Sequence, residues 1–499
     1  MIDRIRIAWQ TKPFVIIVVL AALFRLLAAI FSKGYSMSDD HFLVIHIAQR
    51  WLDGFTDGFN QETPIGHSIV YPGLHYLLFY LLKQFAIMDP QIKMFIVRLL
   101  HAFYSMLIVI YGYHITLRLS DSKTARQVGI ILALFWILPF MSVRNLIEVV
   151  CIPPLLIGYY LIIRGEQDNK DRYFLYAGLA FGVSFIFRYQ SLIIPGGVGI
   201  VLLIQREWKR FFSLTSGTLS SIFLIQGIVD WLAWGYPFAA IYHYITYNIA
   251  HRFEYVVGPW YQYLVLILGV FIPPISFYLV YGCLKSWKKL AILFWPVLLF
   301  LLFHTYFPNK QERFILPILP FIVILGIIGW NQYITSSSLW KRGRLLLRAS
   351  WFWFWFINII LLFLLTFTYP KKTRVEPLTY LSHKDDIHGI LIEYNKENMP
   401  WFPRFYLTKK IPIYRFTVEK TPEEFKTEVL APEKEFPNYV FLYGNDDLEK
   451  RVQKIEKLFA IELQFDSEIK PSLIDDLLYR LNPKHNLNLT SHIYKIVKN

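Results

Sequence analysis

Eleven apolar runs recur along the chain, and nothing else in it so narrows what it can fold into. They lie at 13–31, 94–117, 127–142, 146–163, 173–188, 190–205, 211–228, 260–283, 289–307, 313–332 and 349–368. About 20 such residues in a helix cross the hydrocarbon core of a bilayer. In lipid a backbone must satisfy its own hydrogen bonds, which leaves helices or closed barrels. The chain is only 17% charged, against roughly 25% in soluble domains. The pattern predicts an all-α polytopic membrane protein with about 11 transmembrane helices.

The net charge of +15 does not point to nucleic acid, because the basic residues stand in short clusters between apolar runs. Those clusters, at 118–126, 164–172, 206–210, 284–289 and 339–348, mark the cytoplasmic side. The first run has a basic front (Arg4, Arg6, Lys12) and is followed by Lys33-Gly34-Tyr35 rather than a small-x-small site. It is expected to stay as a first span, with its N-terminus cytoplasmic. Cys151 and Cys283 lie in apolar runs and imply no disulfide framework.

A further stretch, 69-IVYPGLHYLLFYLLKQF-85, would reverse the orientation of everything after it if it crossed. It is short after Pro72 and carries His75, Lys83 and Gln84, which suits a helix lying in the interface. The segment 32–93 then becomes one external loop with two interfacial helices, near 40–52 and 72–86. Residues 1–369 form the membrane domain, and 370–499 an external or lumenal α/β domain. In the latter, 388–394, 438–444 and 460–465 read as strands, and 446–459 as a helix capped by Asn445 or Asp446.

Charges are costly at membrane depth, and here they gather at the external ends of spans. Asp39 and Asp40 follow the first span. Arg144 and Glu148 flank a short turn. Arg188 closes 181-FGVSFIFRYQ-190, Asp230 opens the aromatic loop 229–263, and Lys310, Glu312 and Arg313 stand in 309-NKQERF-314. Each has a plain alternative. Arg144 and Glu148 suit an i,i+4 pair. The 309–314 turn could neutralise itself, and the aromatics could be an interfacial belt. One acid could cap a helix, and His41 and His46 read as helix-face residues. No spacing of His and Asp suggests a metal.

Together, acids and cations around an aromatic external face suit attack by a sugar hydroxyl on a lipid-linked glycosyl phosphate. A carboxylate serves as general base, worth about 10²–10⁴ in rate. Arginine or lysine neutralises the phosphate. Aromatic rings stack on sugars. A single displacement inverts the anomeric carbon.

Five motifs in order resemble glycosyltransferase family 22, the polyprenyl-phosphate-mannose-dependent α-mannosyltransferases of GPI-anchor and N-glycan assembly, within the GT-C superfamily. The family's PDEHFQ-like acidic pair is matched by 38-SDDHFL-43. An Arg-Ser-x-x-x-Pro segment is matched by 67-HSIVYPG-73, and a Ser-Asn-x-x-Glu turn by 144-RNLIE-148. The aromatic loop is matched by Asp230, Gly235-Tyr236, Tyr247-Asn248 and 258-GPWYQY-263, and an HKEERF turn by 309-NKQERFILPILP-320. Asp40 stands for the usual Glu, His67 for Arg, and Asn309 and Gln311 for His and Glu.

The resemblance implies the GT-C fold with two juxtamembrane helices. It also implies a polyprenyl-phosphate-mannose donor acting as substrate, no separate cofactor, and a glycan or glycolipid acceptor at the external or lumenal face. Asp39 is implied as the base, with Asp40 beside it. Arg188, Arg252, Lys310 and Arg313 are candidates for the donor phosphate, Lys310 and Arg313 foremost. His67, Arg144, Glu148, Asp230, Tyr247, Asn248, Trp260, Tyr261 and Glu312 are candidates for the substrate cleft. A transferase using another polyprenyl-phosphate sugar would share the acid but not the 258–263 and 309–314 motifs. A lipid-linked glycan flippase would show polar residues along whole spans and repeated halves.

Overall fold

The computed structural model describes residues 9–55, 64, 66–394, 401–416, 422–429, 435–484 and 486–498; Arg4 and Arg6 lie outside them. Contacts divide the chain into two compact units. One comprises Met1–Ala29, Arg50–Leu77 and Val97–Phe367; the other Ile30–Gln49, Leu78–Ile96 and Thr368–Asn499. The sequence suggested a single boundary at 369, but the acidic pair groups with the C-terminal residues instead.

The first unit is helical. Among the described residues, six helices are long and apolar enough to cross a membrane: Pro13–Phe31, Pro90–Leu119, Ile147–Asp168, Trp208–Trp234, Glu312–Ser336 and Arg344–Thr366. The expected run 260–283 is instead two helices, Gln262–Val270 and Ile275–Lys285, bent by 118°. Pro273 and Pro274 lack the N–H groups that would carry the ladder through. Three expected spans are shorter apolar helices: Arg172–Phe187, Tyr189–Ile204 and Ala291–Tyr306. The run 127–142 breaks at Phe135-Trp136 between Ser122–Leu134 and Ile137–Ser142. Length and composition therefore qualify six spans, or seven counting the bent pair, rather than eleven. Val70–Gln84 has 15 residues, about 22 Å at 1.5 Å per residue.

Side chains seal each break, as a low-dielectric surrounding demands. Asn358 accepts from the Trp136 N–H at 3.0 Å and donates to the Leu134 carbonyl at 2.8 Å. Trp353 donates to the Pro273 carbonyl at 3.1 Å, and Trp136 to that of Val270 at 2.9 Å. Arg25, buried within the first helix, donates to Ser105 Oγ at 3.0 Å and to the carbonyls of Leu132 and Ala133, where the Ser122–Leu134 helix ends. Two helix pairs touch backbone to backbone. A Cβ at Gly178 would sit 2.1 Å from the Leu214 carbonyl, and one at Gly282 would sit 2.0 Å from that of Gly326.

The second unit holds a five-stranded sheet: β1 Ile390–Tyr394, β2 Ile413–Phe416, β3 Tyr439–Tyr443, β4 Glu462–Ile469 and β5 Ser491–Lys498. The spatial order is β2-β1-β3-β5-β4. β1 pairs in parallel with β2 and β3, and β5 antiparallel with β3 and β4. The central β3 is buried throughout. Leu391, Tyr414, Phe416, Val440, Leu442 and Ile455 fill one core. The helix Leu448–Phe459 forms as expected, but not by the expected cap. Asp447 occupies its N-cap in the left-handed region, with no side-chain cap. Asn445 Oδ1 instead accepts from His492 Nε2 at 2.9 Å.

The polypeptide just after the first span is knitted into this unit. Ser32 Oγ donates to the Thr368 carbonyl at 2.8 Å. Gly34 has φ +75°, and a Cβ there would meet the Pro370 carbonyl oxygen at 2.1 Å.

Candidate functional site

In the second unit the acidic pair forms the first turn of a helix beginning at Ser38, where carboxylates complement the helix dipole. Met37, the N-cap, makes no side-chain cap. Asp39 is exposed and Asp40 is buried. The backbone then tightens into a π-helical turn, His41–His46, before ordinary helix resumes at Ile47–Leu52. Such turns are rare and concentrate at functional sites. His41, expected as a helix-face residue, is buried. It is 1% exposed, stacked between Tyr35 at 4.7 Å and Tyr406 at 5.5 Å. Neither of its ring nitrogens meets a partner among the described residues. Burial pushes its pKa down to about 3, so the ring is neutral.

In the first unit a separate group assembles around Glu148, which is 1% exposed. Arg188 donates to its Oε1, and Arg313 Nε lies 3.6 Å from the same oxygen. Arg313 also donates to Gln311 at 2.8 Å. Arg188 Cζ sits 5.0 Å from the centre of the Phe314 ring. Its Nε and Nη2, and Glu148 Oε2, are buried without a partner among the described residues. Two guanidinium groups thus share one carboxylate, and the group keeps a positive surplus.

Arg144 is buried, with its guanidinium 4.5 Å from the Phe140 ring centre. It precedes the helix Ile147–Val150, so it and Glu148 are not an i,i+4 pair on one helix.

The aromatic loop contains a helix, Ala239–Ala250. Its Tyr244 bonds Gln190, lies 5.2 Å from the Tyr189 ring and 5.5 Å from the His67 ring, and feels the charges of Arg188, Glu148 and Arg313. The sequence reading missed Tyr244 and Gln190. A signal was available in the helical spacing Tyr244, Tyr247, Asn248, His251, and in the adjacency of Gln190 to Arg188.

Several other candidates occupy structural posts. Lys310 places all three ammonium hydrogens on carbonyls, of His304 (3.3 Å), Thr305 (2.7 Å) and Phe307 (2.7 Å). It thereby closes the C-terminal end of Ala291–Tyr306. Both Asp230 oxygens are engaged, by Gln226 Nε2 at 2.6 Å and by the Ala240 N–H at 3.0 Å. That carboxylate anchors the start of Ala239–Ala250. Asn248 Nδ2 donates to the Tyr244 carbonyl at 2.8 Å. Tyr247 bonds the Tyr255 hydroxyl and stacks on His251. Arg252, Trp260, Tyr261 and Glu312 are exposed. Asn309 pairs with Val257 in an isolated bridge, tying the two loop motifs together.

This architecture has known counterparts. ArnT from Cupriavidus metallidurans, solved bound to undecaprenyl phosphate, superposes with a TM-score of 0.59 at 12% identity, covering 97% of this chain and 98% of that one. An Archaeoglobus fulgidus oligosaccharyltransferase gives 0.51 at 12%, covering 89% and 69%. At such identity the likeness is one of fold, the GT-C architecture. The GPI alpha-1,2-mannosyltransferase 3 of Bos taurus is 22% identical over 325 residues, 62% of this chain and 56% of the relative. That of Homo sapiens is 23% identical over 292 residues, 56% and 50%. The chain thus spans about half the length of the curated relatives it matches. A family model, the Alg9-like mannosyltransferase family, matches residues 16–389, from within the first span to the residue before β1, and the chain belongs to that family.

Proposed function

We propose that the protein transfers mannose, with inversion, from a polyprenyl-phosphate-linked donor to a hydroxyl of a glycan or glycolipid acceptor at the external or lumenal membrane face. Family membership supports mannose as the sugar. The observation that carries the donor reading is the buried Arg188–Glu148–Arg313 group. Its surplus positive charge and the two partnerless nitrogens of Arg188 fit a phosphate, which accepts bidentately from arginine. Tyr244, Gln190 and His67 border that group with the aromatic and polar surfaces that suit sugars.

Asp39 serves as the base. The acceptor hydroxyl proton passes to its carboxylate as the oxygen bonds to the anomeric carbon. The bond from that carbon to the phosphate oxygen breaks, and its electron pair leaves on the phosphate. Asp40, buried in the same turn, fixes the position of Asp39.

The test is purified protein with labelled polyprenyl-phosphate-mannose and a panel of mannosides, with the product linkage determined. The names of the relatives make a 1,2 linkage the first to look for. Transfer with an α-linked product is expected, and loss of about 10²–10⁴ on Asp39→Asn. Transfer of a different polyprenyl-linked sugar in preference to mannose would overturn the donor assignment. Undiminished activity in Asp39→Asn would overturn the base.

A further inference from the structure

The residue that follows the last span and its short linker, Lys371, reaches the acidic turn. It caps the helix Lys372–Ser382 from the left-handed region, φ +53°. Its ammonium stands 4.4 Å from the centre of the Tyr35 ring and donates to Ser38 Oγ at 3.4 Å. Ser38 is the first residue of the turn that carries Asp39 and Asp40. A layered stack follows: Lys371 on Tyr35, Tyr35 on His41, His41 on Tyr406. The close approach of Gly34 to the Pro370 carbonyl and the bond from Tyr35 Oη to the Trp401 carbonyl at 3.4 Å hold the same strands of chain together. These contacts need a bare backbone at 34, a left-handed residue at 371 and three aromatic rings in register.

We propose that Lys371 is a positioning residue for the Asp39–Asp40 pair, holding in place the turn that carries it. The inference rests on Asp39 being the base. It makes the chain beyond the last span a support of the catalytic turn through one charged contact, and not only an acceptor-binding or stabilising appendage.

The groups that act on the Lys371 charge are Asp39, Asp40 and His41 from the acidic segment, Tyr35 beneath it, Arg374 on its own helix and Asp475 from the helix Leu473–Leu481. Loss of solvent, followed by Arg374, lowers its pKa to about 7, against the pull of Asp475, Asp40 and Asp39. Below that pH the ammonium is charged and its contacts with Ser38 and the Tyr35 ring are charge-assisted; above it they weaken and the turn loosens.

The experiment is the pH dependence of kcat/KM for mannosyl transfer by the full-length chain, comparing wild type, Lys371→Arg, Lys371→Met and Lys371→Gln, with thermal unfolding of each. The wild type is expected to lose activity as pH rises through about 7. Lys371→Arg, charged at every accessible pH, is expected to keep activity within about threefold at pH 6 and to lose that alkaline limb. Lys371→Met and Lys371→Gln are expected to fall at least about tenfold at pH 6 and to lose the alkaline limb, since a catalytic group out of position costs rate steeply. Folded neutral variants with the wild-type profile would overturn the proposal. If neither neutral variant folds, an alkaline limb unmoved in Lys371→Arg overturns it. Asp39→Asn separates the two ideas: if it stays active, or if the wild type transfers no mannose, the reading beneath the inference has failed. If Asp39→Asn is inactive while the lysine variants behave as wild type, only the inference has failed.

Discussion

Two buried arginine–glutamate pairs, one in each unit, differ in how completely the arginine is used. In the C-terminal unit Arg451 donates to Glu393 from both Nε (2.9 Å) and Nη2, to the Tyr443 carbonyl at 3.1 Å, and to those of Gly444 (3.0 Å) and Asp446 (3.2 Å). Each of its three nitrogens has an acceptor; the pair ties β1 to the helix Leu448–Phe459, and the bond to the Tyr443 carbonyl ties β3 to it. In the helical unit Arg188 donates through Nη1 to Glu148, while Nε and Nη2 lie buried with no acceptor among the described residues. A buried polar group without a partner is expensive, so folding alone does not explain the second arrangement. A saturated guanidinium maintains structure. An unsaturated one beside a second arginine is what the proposed donor-phosphate role requires.

The contrast can be broken in order of expected effect. Arg451→Met strands Glu393 in the interior, and should destabilise the C-terminal unit by about 3–5 kcal/mol, read by denaturant unfolding or by hydrogen exchange of β1 and β3. Arg188→Met should leave unfolding less affected and lower transfer by about 10²–10³, the scale for removing one donor to developing charge. Equal unfolding losses in the two variants would erase the distinction. Lys310→Met is the sharper control. Its ammonium already serves three carbonyls, so it should cost about 1–3 kcal/mol of stability and lower transfer less than Arg188→Met does. A greater loss of transfer would return the phosphate role to Lys310.

Asp230→Asn, which disturbs the anchor of Ala239–Ala250, should cost about 1–2 kcal/mol and raise KM more than it lowers kcat. The smallest effect concerns His41. Its pKa is about 3 when folded and about 6.5 when unfolded. Between those values the unfolded chain binds more protons, so stability is complete above pH 6.5 and declines as pH falls, by at most about 1.4 kcal/mol per unit. Thermal midpoints measured from pH 7 to pH 5 should fall in the wild type and fall less in His41→Phe.

How far the sequence carried this picture depends on the residue. The polytopic helical class was legible because backbone satisfaction in lipid leaves so few options. The strands near 388–394 and 438–444 and the helix at 446–459 were legible from their local pattern. The bend at Phe271–Pro274 was announced by two prolines but masked by the apolar run around them. β2 and β5 were missed because their short, mixed patterns only become strands beside β1 and β3. The five motifs marked the loops in which charge gathers, yet adjacency along the chain did not reveal which polar atoms were already engaged.

By itself, then, the sequence determined where apolar length demands a helix and which loops concentrate charge, since both follow from local hydropathy and spacing. Only the tertiary structure decided that Glu148 is shared by Arg188 and Arg313, that Lys310 and Asp230 hold helix ends, and that Lys371 meets the turn bearing Asp39. Hydrogen-bond capacity is finite, and its allocation depends on distances between residues tens to hundreds of positions apart.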